Sequence, residues 1–114
     1  MAGGIFIPIC DVARKEKEMN AYLTFIRQPT TAGTTMKLEF DVSGIKWLIK
    51  NFTDGDIYVA MGETSDKEDC ILIPAETSQV VTPYDGVYIH GSNIITIIPD
   101  ATSEKGVEVQ CLKW

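Results

Sequence analysis

Two carboxylates, Asp54 and Asp56, lie on either side of Gly55 between two apolar runs. Paired carboxylates can carry out acid–base catalysis when burial or a neighbouring charge separates their two pKa values. Asp-Gly is also a strong signal for the tight turn of a β-hairpin. The two interpretations predict different proteins, because the first requires an enzyme and the second only a β-rich fold.

The hairpin interpretation agrees better with the residues around the pair. A three-residue loop, Thr53-Asp54-Gly55, keeps one strand face apolar, and Gly55 can take the left-handed position of a bulged turn. Asp54 then lies in the turn and Asp56 at the start of a strand, so we predict a hairpin over 45–62 and no catalytic pair. In that register one apolar face holds Ile45, Trp47, Ile49, Ile57, Val59 and Met61.

Other catalytic and metal-binding patterns are weak. His90 is the only histidine, so any Ser-His-Asp or Cys-His arrangement would have to use it. Ser92 and Cys70 are conceivable nucleophiles, but no G-x-S-x-G elbow accompanies them. The acidic stretch 66–69 lacks the spacing of a calcium loop, and neither phosphate-loop motif occurs. The sequence therefore predicts no catalytic residue, no metal and no cofactor, with His90 in a structural role.

The composition is that of one globular domain. The chain has 114 residues, of which 45% are hydrophobic and 23% are charged. A formal net charge of −6 opposes sequence-independent nucleic-acid binding, which needs Lys and Arg to replace the counterions on phosphate. No apolar run reaches the roughly 18 residues of a membrane helix. We therefore expect neither a nucleic acid nor a membrane as a partner.

Nothing in the sequence indicates secretion. The apolar stretch at the start has no basic segment before it, unlike a signal peptide. Three cysteines, Cys10, Cys70 and Cys111, are an odd number at wide spacing and do not form a disulfide framework. We expect buried, reduced thiols at Cys70 and Cys111, and a bridge between them is the alternative. The sequon at Asn51 is interpreted as a chance triplet.

Alternating polarity predicts an all-β protein. The clearest strand is "MKLEFDV", 36–42, where apolar residues alternate with charged ones. The pairs Ser43-Gly44 and Lys105-Gly106 are predicted turns. Short strands separated by turns at regular spacing are typical of an antiparallel β-sandwich with a jelly-roll-like arrangement, and a small open barrel gives similar signals. The further predicted strands cover 21–28, 70–74, 77–83, 87–90, 93–99 and 107–114.

We expect a single domain with two parts. Residues 1–35 comprise an N-terminal arm, a first strand and a flexible connector. Within the arm, 11–19 could form one or two helical turns with Asp11 as the N-cap. Residues 36–114 comprise the β-sandwich core.

Several apolar residues are candidates for contact with other subunits. An apolar arm is unfavourable in water unless something covers it, and a terminal Trp is a common interface anchor. The strand 93–99 has isoleucine on both faces, so we expect a neighbouring segment or subunit to cover the face turned away from the core. The candidate interface residues are Ile5, Phe6, Ile7, Ile95, Ile97 and Trp114.

An alternative binding role rests on tyrosines. Tyr58, Tyr84 and Tyr88 could stack on the apolar faces of sugar rings, which would make the chain a carbohydrate-binding module of a fibre or surface protein. Against this, exposed tyrosines are also common as cross-strand partners within a sheet. A small cupin-like enzyme is a third class, but it would need several histidines as metal ligands.

Four segments carry a family resemblance: "IKWLIKNFTDGDIYVAMGE", "CILIPAETSQVV", "GSNIITIIPD" and "GVEVQCLKW". Together they resemble the small β-rich structural proteins of tailed bacteriophages and prophages, over roughly residues 36–114. The resemblance implies a jelly-roll-like sandwich without an active site that decorates a capsid, forms head fibres or acts as an adaptor. It also implies a homo-oligomer, preferably a trimer, that contacts other virion proteins and is assembled in the cytoplasm of a bacterial host. It carries no site motif, so no functional residue is transferred.

Overall fold

The computed structural model describes residues 22–82 and 91–114, which form eight strands and one short 3₁₀ helix at Lys67–Asp69. The predictions for the N-terminal arm, the helical turns at 11–19 and the strand at 87–90 lie outside the described residues. In the described part, no helix is long and apolar enough to cross a bilayer. The strands are β1 (Phe25–Thr30), β2 (Met36–Gly44), β3 (Lys46–Asn51), β4 (Ile57–Met61), β5 (Ile71–Ile73), β6 (Ser78–Val81), β7 (Ser92–Pro99) and β8 (Ser103–Lys113).

The strands form two four-stranded antiparallel sheets. Sheet A has the order β1-β8-β3-β6, and sheet B has the order β2-β7-β4-β5. Four of the pairs are β1 with β8, β2 with β7, β3 with β6 and β4 with β5. These four pairs are those of one long hairpin with its bend between β4 and β5. The hairpin is rolled up, so that β3 also pairs with β8 and β4 with β7.

The core lies between the two sheets and consists of the inward-facing residues of both. Strand β2 shows the principle, because its residues alternate strictly between buried and exposed along its whole length. The prediction of an antiparallel β-sandwich is confirmed. Side chains with no exposed surface come from both sheets: Trp47, Ile49, Val107 and Val109 from sheet A, and Ile57, Ile73, Ile95 and Ile97 from sheet B.

The predicted hairpin over 45–62 is wrong. β3 pairs with β6 and β8, whereas β4 pairs with β5 and β7, so the two strands belong to different sheets. Gly55 is not among the glycines with a left-handed backbone. The bend at 53–55 is instead held by side chains, since Asn51 Oδ1 accepts hydrogen bonds from Thr53 N at 2.9 Å and Thr53 Oγ1 at 2.7 Å. The apolar residues of the two strands therefore meet across the core and not on one sheet face.

Of the two predicted Gly-containing turns, one marks a change of direction between the sheets and the other lies inside a strand. At Ser43-Gly44 the chain does change direction, since it leaves sheet B and enters sheet A directly after Gly44. A side chain at Gly44 would collide with the ring of Trp47, so the corner requires glycine. Lys105-Gly106, by contrast, lies inside β8 and is not a turn.

Gly106 instead produces a bulge where β8 pairs with β1. Its φ is +61°, and a Cβ there would overlap the carbonyl oxygen of Gln28. The β1–β8 register shifts between Gln28 and Thr30, opposite this position. The physical reason for the error is that glycine serves bulges as well as turns, and the residues alone do not separate the two. The first strand also begins later than expected, at Phe25.

Candidate assembly surface

The outer face of sheet A is the side of that sheet turned away from the core. Because strand residues alternate, the neighbours of the buried Trp47, Ile49 and Val109 point to this face. The strand register then places the outward residues in rows that cross the sheet. The apolar row comprises Phe25 on β1, Leu48 on β3 and Val80 on β6, with Gln110 of β8 between the first two.

The apolar row is open to water. Phe25 is 51% exposed and Val80 is 48% exposed, while Leu48 between them is half-buried. On β8 the row is extended by Leu112, which is 41% exposed, and Trp114, directly after β8, is 60% exposed. A cluster of large exposed apolar residues on one face is the usual mark of a contact surface for another molecule.

A charged row runs beside the apolar one. Glu108 Oε1 accepts hydrogen bonds from Arg27 Nη2 at 3.0 Å and Nε at 3.3 Å, and Glu108 Oε2 lies 3.5 Å from Lys50 Nζ. The carboxylate is 14% exposed, whereas the Arg27 side chain is 66% exposed. Two cations around one anion give this row a local charge of +1 on a chain whose net charge is −6. The row therefore favours an acidic neighbour.

The aromatic ring of Phe52, directly after β3, lies beside Arg27 at one end of the charged row. The guanidinium carbon of Arg27 lies 5.7 Å from the centre of the Phe52 ring, which is within cation–π range. The two side chains line a shallow depression of about 530 Å³ together with Glu104 and Lys105. Holding Arg27 between a ring and a carboxylate keeps the guanidinium in one place on the surface.

The outer face of sheet B differs, because the loop 62–69 lies against part of it. Thr96 Oγ1 donates a 2.6 Å hydrogen bond to Gly62 O, and Gly62 N donates to Ile94 O. Lys67 Nζ lies 3.1 Å from Asp100 Oδ1, a contact that raises the pKa of this lysine. These contacts attach the loop 62–69 to β7. On this face outward Thr96 is 1% exposed and outward Ile98 is 5% exposed.

Burial in the core corrects part of the interface prediction. Ile95 and Ile97 have no exposed surface and pack in the core of their own domain, so they cannot contact another subunit. Isoleucine on both faces of β7 indicated correctly that both faces are covered, but the outward cover comes from a segment of the same chain. Trp114 is exposed and remains a candidate. Ile5, Phe6 and Ile7 lie outside the described residues.

The sugar-stacking residues are only partly described. Tyr58 is half-buried, and the ammonium group of Lys67 lies 4.4 Å from the centre of its ring. One ring face is therefore already occupied by a cation. Tyr84 and Tyr88 lie outside the described residues, as does His90, so the stacking role stays a prediction.

Asn51 is a structural residue and not a glycosylation acceptor. Its side-chain nitrogen donates to the carbonyl oxygens of Gly55, Ile73 and Pro74 at 2.9, 3.1 and 3.1 Å. The residue is 2% exposed, so no enzyme could reach this amide in the folded protein. These bonds join the end of β3 to the bend before β4 and to the end of β5. Asn51 therefore fixes the place where the chain passes from one sheet to the other.

The acidic residues named from the sequence lie at the bend between the sheets and in the loop 62–69. Asp54 is exposed and Asp56 is half-buried, at the bend between the sheets. In the acidic loop, Asp66 Oδ1 caps the 3₁₀ helix by accepting from Glu68 N, and Asp69 accepts from Thr64 Oγ1. Within 22–82 and 91–114 no group of three potential ligands could hold a metal ion. Asp66 therefore has a capping role in this loop.

The cysteines are free thiols in the described part of the chain. Cys111 is 5% exposed and belongs to the core, as predicted, whereas Cys70 is only half-buried. Burial raises the pKa of both thiols, and the nearby carboxylates of Asp69 and Asp66 raise that of Cys70 further. A raised pKa keeps a thiol protonated at neutral pH, which makes it a poor nucleophile.

Sequence reasoning missed most of the outer face of sheet A. Phe25, Val80 and Leu112 were part of predicted strands but were not named as contact residues. A signal was present, because each occupies an outward position where alternation calls for a polar residue. This signal identifies a surface residue only when the inward face of each strand is known. The inward face in turn depends on which strands pair.

Comparisons of the chain with protein-family models, curated proteins and solved structures gave no match.

Replacing Asn51 tests its role at the crossing between sheets. Asn51→Asp exchanges a donor that contacts three carbonyl oxygens for a carboxyl group, so we expect a loss of at least about 3 kcal/mol in the free energy of unfolding. The loss should grow as the pH rises, since only the protonated acid can donate a hydrogen bond. Urea denaturation at several pH values measures it.

The exposed Asn93 provides the matched control. Asn93→Asp makes the same chemical change on the surface and should alter stability by no more than about 0.5 kcal/mol. Equal effects of the two substitutions would contradict a structural role for the buried amide.

Proposed function

We propose that this protein is a non-enzymatic structural or accessory component of the virion of a tailed phage or prophage. It acts by assembly with copies of itself and with other virion proteins. The observation that carries the proposal is the exposed apolar row on the outer face of sheet A, continued by Leu112, together with the exposed Trp114 directly after β8. The family resemblance of residues 36–114 supports the choice of class.

The apolar row supplies a physical reason for assembly. Complete burial of one Phe, Leu or Val side chain contributes about 1.5–3 kcal/mol. Phe25, Val80 and Leu112 are each exposed by two fifths or more in the single chain, so much of that energy is available for a contact. The neighbouring charged row, in which Arg27 is largely exposed, can set the orientation of a partner, because electrostatic complementarity governs register more than affinity.

The strand order supports the jelly-roll part of the proposal. Jelly rolls are eight-stranded double sheets made from two Greek keys, and capsid proteins commonly use them. Here the pairs β1–β8, β2–β7, β3–β6 and β4–β5 describe one long hairpin rolled into two sheets. Such a protein would be made in the cytoplasm of a bacterial host and carried in the particle.

The assembly state of the purified protein is the first test. Light scattering during size-exclusion chromatography should give an oligomer, and Leu112→Asp should shift the mass towards the monomer by placing a charge in the contact. Leu72→Asp is the matched control, because Leu72 is similarly exposed, at 45% against 41%, on the opposite sheet. A wild-type monomer at high concentration contradicts the proposal. An oligomer unaffected by Leu112→Asp contradicts the use of this face.

The virion assignment needs a separate test. Particles released by a host that carries the gene should contain this chain at a constant ratio to the major capsid protein after density-gradient purification. Mass spectrometry of the gradient fractions measures this ratio. Detection of the chain only in the particle-free fractions contradicts the assignment. A gene flanked by capsid, portal or tail genes agrees with it.

A further inference from the structure

The edge strands of the two sheets, as the described residues form them, are protected to different degrees. An exposed edge strand invites pairing with another chain unless proline, charges or short length prevent it. β1 contains Arg27 and Pro29, β2 exposes charged side chains along its length, and β5 has only three residues and is followed by Pro74. β6, at the edge of sheet A, is also short, with the four residues SQVV, but it contains neither a charge nor a proline.

The backbone of β6 directs two residues outward from the sheet. Asn51 N donates to Thr77 O at 2.9 Å, so these two residues form a hydrogen-bonded pair of the β3–β6 ladder. Such pairs alternate along antiparallel strands, which makes Gln79 and Val81 the next hydrogen-bonded residues. The N–H and C=O groups of Ser78 and Val80 therefore point away from β3. Among the described residues, β3 is the only strand that pairs with β6.

The geometry points to antiparallel pairing of β6 with β6 of a second copy of this chain, about a two-fold axis at Val80. This inference rests on the proposed function, since it names one contact by which the protein assembles. Val80 lies opposite Val80 of the second copy, and Ser78 lies opposite Thr82. The two four-stranded A sheets then become one continuous sheet of eight strands.

The chemistry of the β6 edge favours a second copy of this chain as its partner. Two identical antiparallel strands present donors opposite acceptors, so a strand without charges or proline is complementary to itself. The apolar row also ends at this edge, with Val80 48% exposed. Pairing at the two-fold axis joins the apolar rows of two molecules into one that is twice as long. Each Val80 thereby gains an apolar neighbour.

A groove beside the edge supports the same arrangement. It has a volume of about 400 Å³ and lies between β5 and β6, where the sandwich is open. Its lining includes Met61, Ile71 and Val81, and Ile71 is 39% exposed there. A strand added to sheet A at β6 passes along this groove. It reduces the contact of these apolar side chains with water.

The inference specifies the symmetry of assembly. A two-fold contact produces dimers or larger assemblies with an even number of chains, whereas the family resemblance implies trimers. A measured mass of two or four chains agrees with pairing at β6.

Matched charge substitutions test the contact. Val80→Lys places two ammonium groups opposite each other at the axis, so we expect the dissociation constant of the oligomer to rise at least about tenfold. Leu72→Lys makes the same change on the edge strand of sheet B, at an equally exposed position, and should leave association unchanged. Sedimentation measures both constants, and circular dichroism verifies that both variants are folded.

Hydrogen exchange gives a readout that depends on the backbone. In the wild-type protein, the amides of Ser78 and Val80 should exchange more slowly as the protein concentration rises, and Val80→Lys should abolish this dependence. Rates independent of concentration, or equal effects of the two lysine substitutions, would overturn pairing at β6 while an oligomeric wild type still supports the proposed function. A monomeric wild type overturns both. Slow exchange only in the presence of a different protein overturns the choice of a second copy.

Discussion

Burial of every second strand residue between two sheets is the constraint on which the rest of the molecule depends. Trp47, Ile49, Ile95 and Ile97 have no exposed surface, and they can meet only if the chain rolls up so that β3 and β7 lie on opposite sides of one core. Where the chain crosses from one sheet to the other, some backbone carbonyl groups have no partner strand and need another hydrogen-bond donor. The side-chain amide of Asn51 supplies it by donating to three carbonyl oxygens. Burial of the core therefore depends on the hydrogen bonds of Asn51 at the crossing between the sheets.

The two outer faces that result have different roles. The loop 62–69 lies against part of the outer face of sheet B, where outward Thr96 and Ile98 of β7 are buried, while the outer face of sheet A keeps an exposed row of apolar side chains. In energetic terms the domain completes its own core and leaves a second apolar surface uncovered. A protein that works by assembly needs such a surface, whereas an enzyme needs a concave site with converging polar groups.

The fold class was predictable from the sequence because alternation is a local property. "MKLEFDV" identifies β2 and its inward residues without any knowledge of the neighbouring strands. Strand pairing is not local, and the most convincing turn, at Asp54-Gly55, proved to be a crossing between sheets. Lys105-Gly106 failed for a related reason, since the left-handed glycine serves a bulge opposite β1. The exposed apolar row on sheet A could not be predicted, because it depends on which strands share a sheet. Trp114 was named from the sequence because a terminal Trp is a common interface anchor, and it is exposed in the structure.

The pairing of β3 with β8 is the central structural claim, since it creates sheet A and both rows on its outer face. In this pairing Ile49 lies opposite Val109 at a position without mutual hydrogen bonds, where the two Cα atoms of an antiparallel pair are about 4.5 Å apart. A nuclear Overhauser spectrum of the protein should therefore show a strong contact between the Hα atoms of Ile49 and Val109. Contacts between the backbones of β3 and β4 in its place, as a hairpin over 45–62 requires, would contradict the account.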